Sequence, residues 1–171
     1  MNVEIISVID SAIKIGLGAL IAGIFTQLTA KRQFERELTK QRTEDNRSLI
    51  KDIVINIENS TIAKNKLAGT LRQAVYHSKF NQSEVLAQSH SCILDAQNYL
   101  NVAMANSVLL GLSDVYVEIK NYSSTLNAML NIIDDGKFDE EFLSKMQGIS
   151  NNQVSVKEKI NKLIATAYKN A

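Results

Sequence analysis

Few side chains in this sequence could do chemistry. His77, His90 and Cys92 are the only histidines and the only cysteine. A di-metal helical bundle needs Glu-x-x-His on facing helices so that the ligands converge inside the core, and no such spacing occurs. His90 and Cys92 are two apart, about 200° around a helix, so they cannot share one ion. The acidic run Asp134, Asp135, Asp139, Glu140 and Glu141 lacks the alternating oxygen ligands of a calcium loop, and Lys137 interrupts it. Helix capping accounts for it better. No Gly-x-Ser-x-Gly, phosphate-cradling glycine loop or base beside Cys92 is present. These residues predict no catalytic residue, no metal, no cofactor and no small-molecule substrate, and hence no enzyme.

Polar residues in the phase of apolar stripes are a second set. Lys64, His90, Gln97 and Gln153 each fall where a helix would turn them inward. Burial without partners would cost free energy. Either they form a buried polar layer that fixes helix register, or they lie at the edge of the core.

A third set is small residues. Ala12, Gly16, Ala19, Gly23, Thr26 and Ala30 recur at alternating four- and three-residue steps, which return to one helix face. They lie in a run of about 20 residues, Ser11 to Ala30, broken only by Lys14 and matching the length of a membrane span. Large residues occupy the other faces, so the pattern predicts a transmembrane helix with a packing face at Ala12, Gly16, Ala19 and Gly23. The charge-free part from Ile15 spans about 24 Å, and Lys14 can snorkel to lengthen it. Glu4 and Asp10 precede the run, and the small-x-small site of a cleaved signal peptide is poorly matched. Asp10 and Lys14, four apart, can pair near the interface. Lys31, Arg32, Arg36, Lys40 and Arg42 follow it. By the positive-inside tendency the N-terminus lies outside and the remainder in the cytoplasm, at an inner membrane, with the basic residues against lipid headgroups. Glu35, Glu37, Glu44 and Asp45 interleave them, and the net charge is +1. Nucleic acid is therefore not an expected partner.

The elements that position these residues are helices. The chain contains no proline, so nothing forces a helix to break. Residues 31–47 read as a solvated helical stalk. Apolar periodicity then starts at Leu49, Ile50, Ile53 and Ile57, skips Ser60 and Lys64, resumes at Leu67, Leu71 and Ala74, and ends near Lys79. Asn81 can cap a second helix, with Glu84 reaching back. Its stripe is Leu86, Ile93, Leu100, Met104 and Val108, with Leu94 beside it. Gly111 offers the C-terminal position and Ser113 the next cap. The third helix carries Val115, Ile119, Tyr122, Leu126, Met129 and Ile133 and stops at Gly136. Asp139 caps a fourth, with Phe142, Met146, Ile149, Val156, Ile160, Leu163 and Ala167 in one phase. Gly148 and the capping-box pattern Ser155 to Glu158 suggest a break near Ser150 to Gln153, against which the steady phase argues for a kink at most.

The expected architecture is all-α: an anchor (1–30), a stalk (31–47) and an antiparallel up-down-up-down four-helix bundle (48–171). The expected function is a membrane-anchored scaffold or regulatory interaction module, homo-oligomeric, with membrane lipid and a further protein as partners. The alternatives are an oligomeric pore-forming or membrane-disrupting effector and a soluble helical interaction protein.

Overall fold

The computed structural model describes residues 2–76, 81–135 and 138–170, with side chains from Ile13 onward. The chain is all-helical, and the described residues contain no strand. The helices are α1 (Asn2–Tyr76), α2 (Gln82–Leu109), α3 (Ser113–Asp134) and α4 (Glu140–Asn170). Two compact units divide the chain, Met1–Glu44 and Asp45–Ala171.

The first unit is helix throughout its described length, and every side chain from Ile13 to Arg42 is exposed. Thr26 and Thr29 donate their hydroxyls to the carbonyls of Ala22 and Phe25, both at 2.8 Å. The helix thus satisfies both hydroxyl donors within itself.

The second unit holds one hydrophobic core drawn from all four helices. α3 is its most regular contributor: Val115, Ile119, Tyr122, Leu126, Met129 and Ile133 are all buried, as their four-three spacing predicts. α4 runs unbroken through Ser150 to Gln153, so no break occurs there. The capping-box residues Ser155 to Glu158 lie inside the helix, where the backbone donors they would cap already have partners four residues earlier.

α2 departs from the expected stripe by one residue. Its buried face is Val85, Ser89, Ile93, Ala96, Leu100, Ala103 and Ser107. Ile93 and Leu100 are shared with the expected stripe, Leu86 and Met104 are only partly buried, and Val108 and Leu94 are exposed. Small Ala and Ser side chains let neighbouring backbones come close, and the larger residues cover the flank instead. In α1, Ser60 and Ala63 join the core, and Val54 faces out at its margin.

The turn between α2 and α3 explains a further difference. Gly111 has φ +67°, the left-handed region that glycine enters without penalty. Its N–H donates to Val108 O at 3.0 Å, and that of Leu112 to Ser107 O at 2.8 Å. This pair of bonds is a Schellman motif. It consumes Leu112, which also serves as N-cap of α3, without a side-chain cap. Ser113 is therefore the first helical residue and not the cap. Asn81 does cap α2, accepting from Ser83 N at 3.2 Å. Asp139 caps the start of α4, accepting from Phe142 N at 2.8 Å. The proposed ends at Lys79 and Gly136 lie outside the described residues.

Cross-helix polar contacts link the elements. On α1 and α4, Arg47 lies 5.6 Å from the Tyr168 ring centre and Lys157 bonds Glu58 at 2.9 Å. On α2 and α3, His90 meets Asp134 at 2.7 Å and Gln97 meets Asn127 at 2.6 Å. On α3 and α4, Gln153 donates to Thr125 at 2.7 Å.

Candidate functional site: an exposed apolar helix and a polar core layer

The residues singled out from the sequence fall into two places. Gly16, Ala19 and Gly23 lie on the first part of α1, fully exposed. A Cβ added at Gly16 or Gly23 would meet nothing within 4 Å. The side chains of Ala12 and Asp10 lie outside the described residues, and so does the Asp10–Lys14 pairing. Lys31, Arg32, Arg36, Lys40 and Arg42 are all exposed. Lys40 makes an i,i+4 pair with Glu44 at 3.9 Å. α1 is the one described helix long and apolar enough to cross a membrane, and none of its apolar window is buried. A soluble protein hides such a surface.

The four polar residues in core phase separate. Gln153 is buried, at 1% exposure. Its Nε2 donates to Thr125 Oγ1 and lies 3.8 Å from Met129 Sδ, while its Oε1 has no partner. Thr125 in turn donates to Tyr122 O at 2.6 Å. Lys64 is half-buried, and burial, reinforced by the nearby Lys157 charge, holds its ammonium below the usual lysine range. His90 is exposed and Gln97 half-exposed. Both lie at the core edge, the second of the two expected arrangements, because the buried face of α2 lies one residue earlier than the apolar spacing indicates. There they bond Asp134 and Asn127 on the flank of α3.

Ser60, Ser89, Ser107 and Thr125 are buried polar residues that the apolar spacing does not reveal. Ser107 donates to Ala103 O, whereas the hydroxyls of Ser60 and Ser89 lack a partner. Their signal would have been position: each continues a four-three phase already set by larger neighbours. Tyr122 is buried, at 1% exposure, and Thr61 lies near its phenol. Gln153 and Thr125 thus form a buried polar contact linking α4 and α3.

Burial raises the Cys92 thiol, and the Asp95 carboxylate adds to it. A thiol held protonated is a poor nucleophile. Among the described residues no three His, Cys, Asp or Glu side chains converge as a metal site. His77 lies outside those residues. No protein family, curated protein or solved structure matches this chain.

Proposed function

We propose that the chain is a single-pass membrane protein whose Asp45–Ala171 unit is a helical interaction module at the cytoplasmic face, assembling as a homo-oligomer. The carrying observation is the exposed apolar surface of α1 from Ile15 to Ala30, followed directly by Lys31, Arg32, Arg36, Lys40 and Arg42. An exposed helix of that composition finds its solvent in lipid. The basic flank sets the inner side and adds attraction to anionic headgroups. The function is associative and not catalytic.

The second unit is an antiparallel up-down-up-down bundle in this reading. Support comes from the cross-helix contacts, in which residue numbers rise on one helix as they fall on the next: Arg47 with Tyr168 and Glu58 with Lys157, His90 with Asp134 and Gln97 with Asn127. The tight Schellman turn between α2 and α3 favours the same arrangement.

Oligomerisation is proposed on the open face at Gly16 and Gly23, where backbones can approach closely. Replacing both by Ile keeps the helix apolar, so membrane insertion survives while in-membrane crosslinking falls. Undiminished crosslinking of the double variant would remove this face from the account. Dye leakage or growth arrest on expression of the native chain, lost in the double variant, would replace the scaffold with a pore.

A further inference from the structure

The second unit shows an apolar patch that the membrane reading does not use. Ile55 and Ile62 on α1 are each 54% exposed, and Val102 and Tyr99 on α2 are 49% and 39% exposed. At about 100° per residue, Ile55 and Ile62 lie within about 40° of Lys66 on α1. The charges of Lys66 and Asp95 both reach the Cys92 thiol, so Lys66 stands on the side of α1 next to α2. The side next to α4 is marked by Arg47 and Glu58, which meet Tyr168 and Lys157. On α2, Asp95, Tyr99 and Val102 lie about 140–160° around the helix from Gln97, which bonds Asn127 of α3. All six residues thus share the outer face of the α1–α2 pair. Exposed apolar side chains are ordinarily scattered singly, and a cluster of them marks a contact.

We infer that this face is an interface with a second copy of the chain, α1 of each copy lying against α2 of the other. It presupposes the homo-oligomeric membrane protein proposed above and adds the surface by which the second units meet. Copies held in one bilayer point the same way and meet at a raised effective concentration. A two-fold axis along the helices then sets α1 opposite α2 of the other copy, at unchanged height. With α1 and α2 antiparallel, as proposed, and Lys66 level with Cys92, each α1 residue finds its counterpart within about 5 Å along the axis. Ile62 meets Tyr99 of the other copy, Ile55 meets its Val102, and Lys66 meets its Asp95. Charge complementarity commits the occupant. The face carries an exposed cation on its α1 half and an exposed carboxylate on its α2 half at one level, so it matches its own rotated image. Neither Lys66 nor Asp95 makes an ion pair among the described residues, where Lys40–Glu44, His90–Asp134, Lys145–Glu141 and Lys157–Glu58 do. Setting α1 against α1 would instead oppose Lys66 to Lys66. The charges fix register, and the four apolar side chains supply the burial.

The test uses the full chain in membranes, in a Cys92→Ser background and with two tags. One tagged chain carries Ile55→Cys and the other Val102→Cys. Mild oxidation is read on a non-reducing gel, and the disulfide between unlike tags is expected to dominate over both like-tag products. Adding Lys66→Glu to the Ile55→Cys chain sets a carboxylate opposite Asp95 and should lower that product about fivefold, since like charges in juxtaposition repel. Adding Asp95→Lys to the Val102→Cys chain as well should restore it. A Lys66–Asp95 contact within one chain would not be restored by changes on separate chains, so failure to restore overturns the pairing of α1 with α2. Gly23→Cys, on the anchor, reports separately on the homo-oligomer. Cross-linking at Gly23→Cys without the Ile55–Val102 product, or Ile55→Cys joining chiefly to itself, overturns the face and leaves the homo-oligomer standing. Cross-linking at neither place overturns the homo-oligomeric reading and this interface with it.

Discussion

Gln153 and Thr125 show how one buried amide is accommodated. Gln153 gains one strong bond, from Nε2 to Thr125, and leaves Oε1 unpaired. Removing the partner and removing the amide therefore have different consequences. Thr125→Val leaves the buried amide with only the weak Nε2 contact to Met129 Sδ and should cost about 1–3 kcal/mol. Gln153→Met fills a similar volume, and Thr125 keeps its own bond to Tyr122 O. That variant should be neutral or up to about 1 kcal/mol more stable. Urea midpoints of the two variants decide it, and the reverse order would show that the amide is worth more than its desolvation. Tyr122 governs alkaline behaviour. Burial raises its phenol above the usual value near 10, against a smaller opposing influence of Thr61. The native state therefore keeps a proton that the unfolded state releases. With fewer protons on the unfolded chain, stability falls as pH rises above 10. Lys64 acts oppositely: its lowered pKa makes stability rise between the folded value and 10.5. Tyr122→Phe should abolish the loss above pH 10 and leave the rise due to Lys64. A Tyr122→Phe melting profile parallel to the native one across that range would contradict this assignment. Of the four polar candidates, only Gln153 is fully buried. Spacing places a residue to within about one position, and one position is the difference between core and flank.

Among the elements, α3 was the most legible. Its large apolar residues mark both the phase and the face, and its six-residue stripe is the buried face but for Thr125. α2 was legible only in part. Four of the seven residues on its buried face are Ala or Ser, which carry too little hydropathy to outweigh Leu86, Met104 and Val108 in a count of apolar positions. Its core is set by how closely backbones pack, a tertiary property with no local signal. The turn after α2 was legible in kind, through Gly111, but not in register. Which residue caps α3 depends on a hydrogen bond from Leu112 back to Ser107. Two glycines separate these contributions experimentally. Gly111→Ala forces an L-residue to φ +67° with no steric contact within 4 Å, so backbone strain alone should cost about 1 kcal/mol. Gly148 is exposed inside α4 with nothing near its Cβ position, and Gly148→Ala should stabilise by about 0.5–1 kcal/mol. Thermal unfolding checks both, and equal signs would mean that one turn or helix is misdescribed.

For the whole molecule, the sequence announces two kinds of surface. One unit hides its apolar side chains among four helices, and the other shows them to its surroundings. The same hydrophobic effect thus gives opposite outcomes, and the environment decides which is stable. A helix such as Ile15 to Ala30 is legible because its length and composition are local quantities. The work of the second unit was not legible, since no chemistry-bearing constellation stands on it. The central claim is that α1 spans a membrane. Alkaline carbonate extraction of membranes from cells expressing the full chain tests it directly, beside a fragment beginning at Asp45. The account predicts the full chain in the membrane pellet and the fragment in the supernatant. Release of the full chain into the supernatant would contradict it.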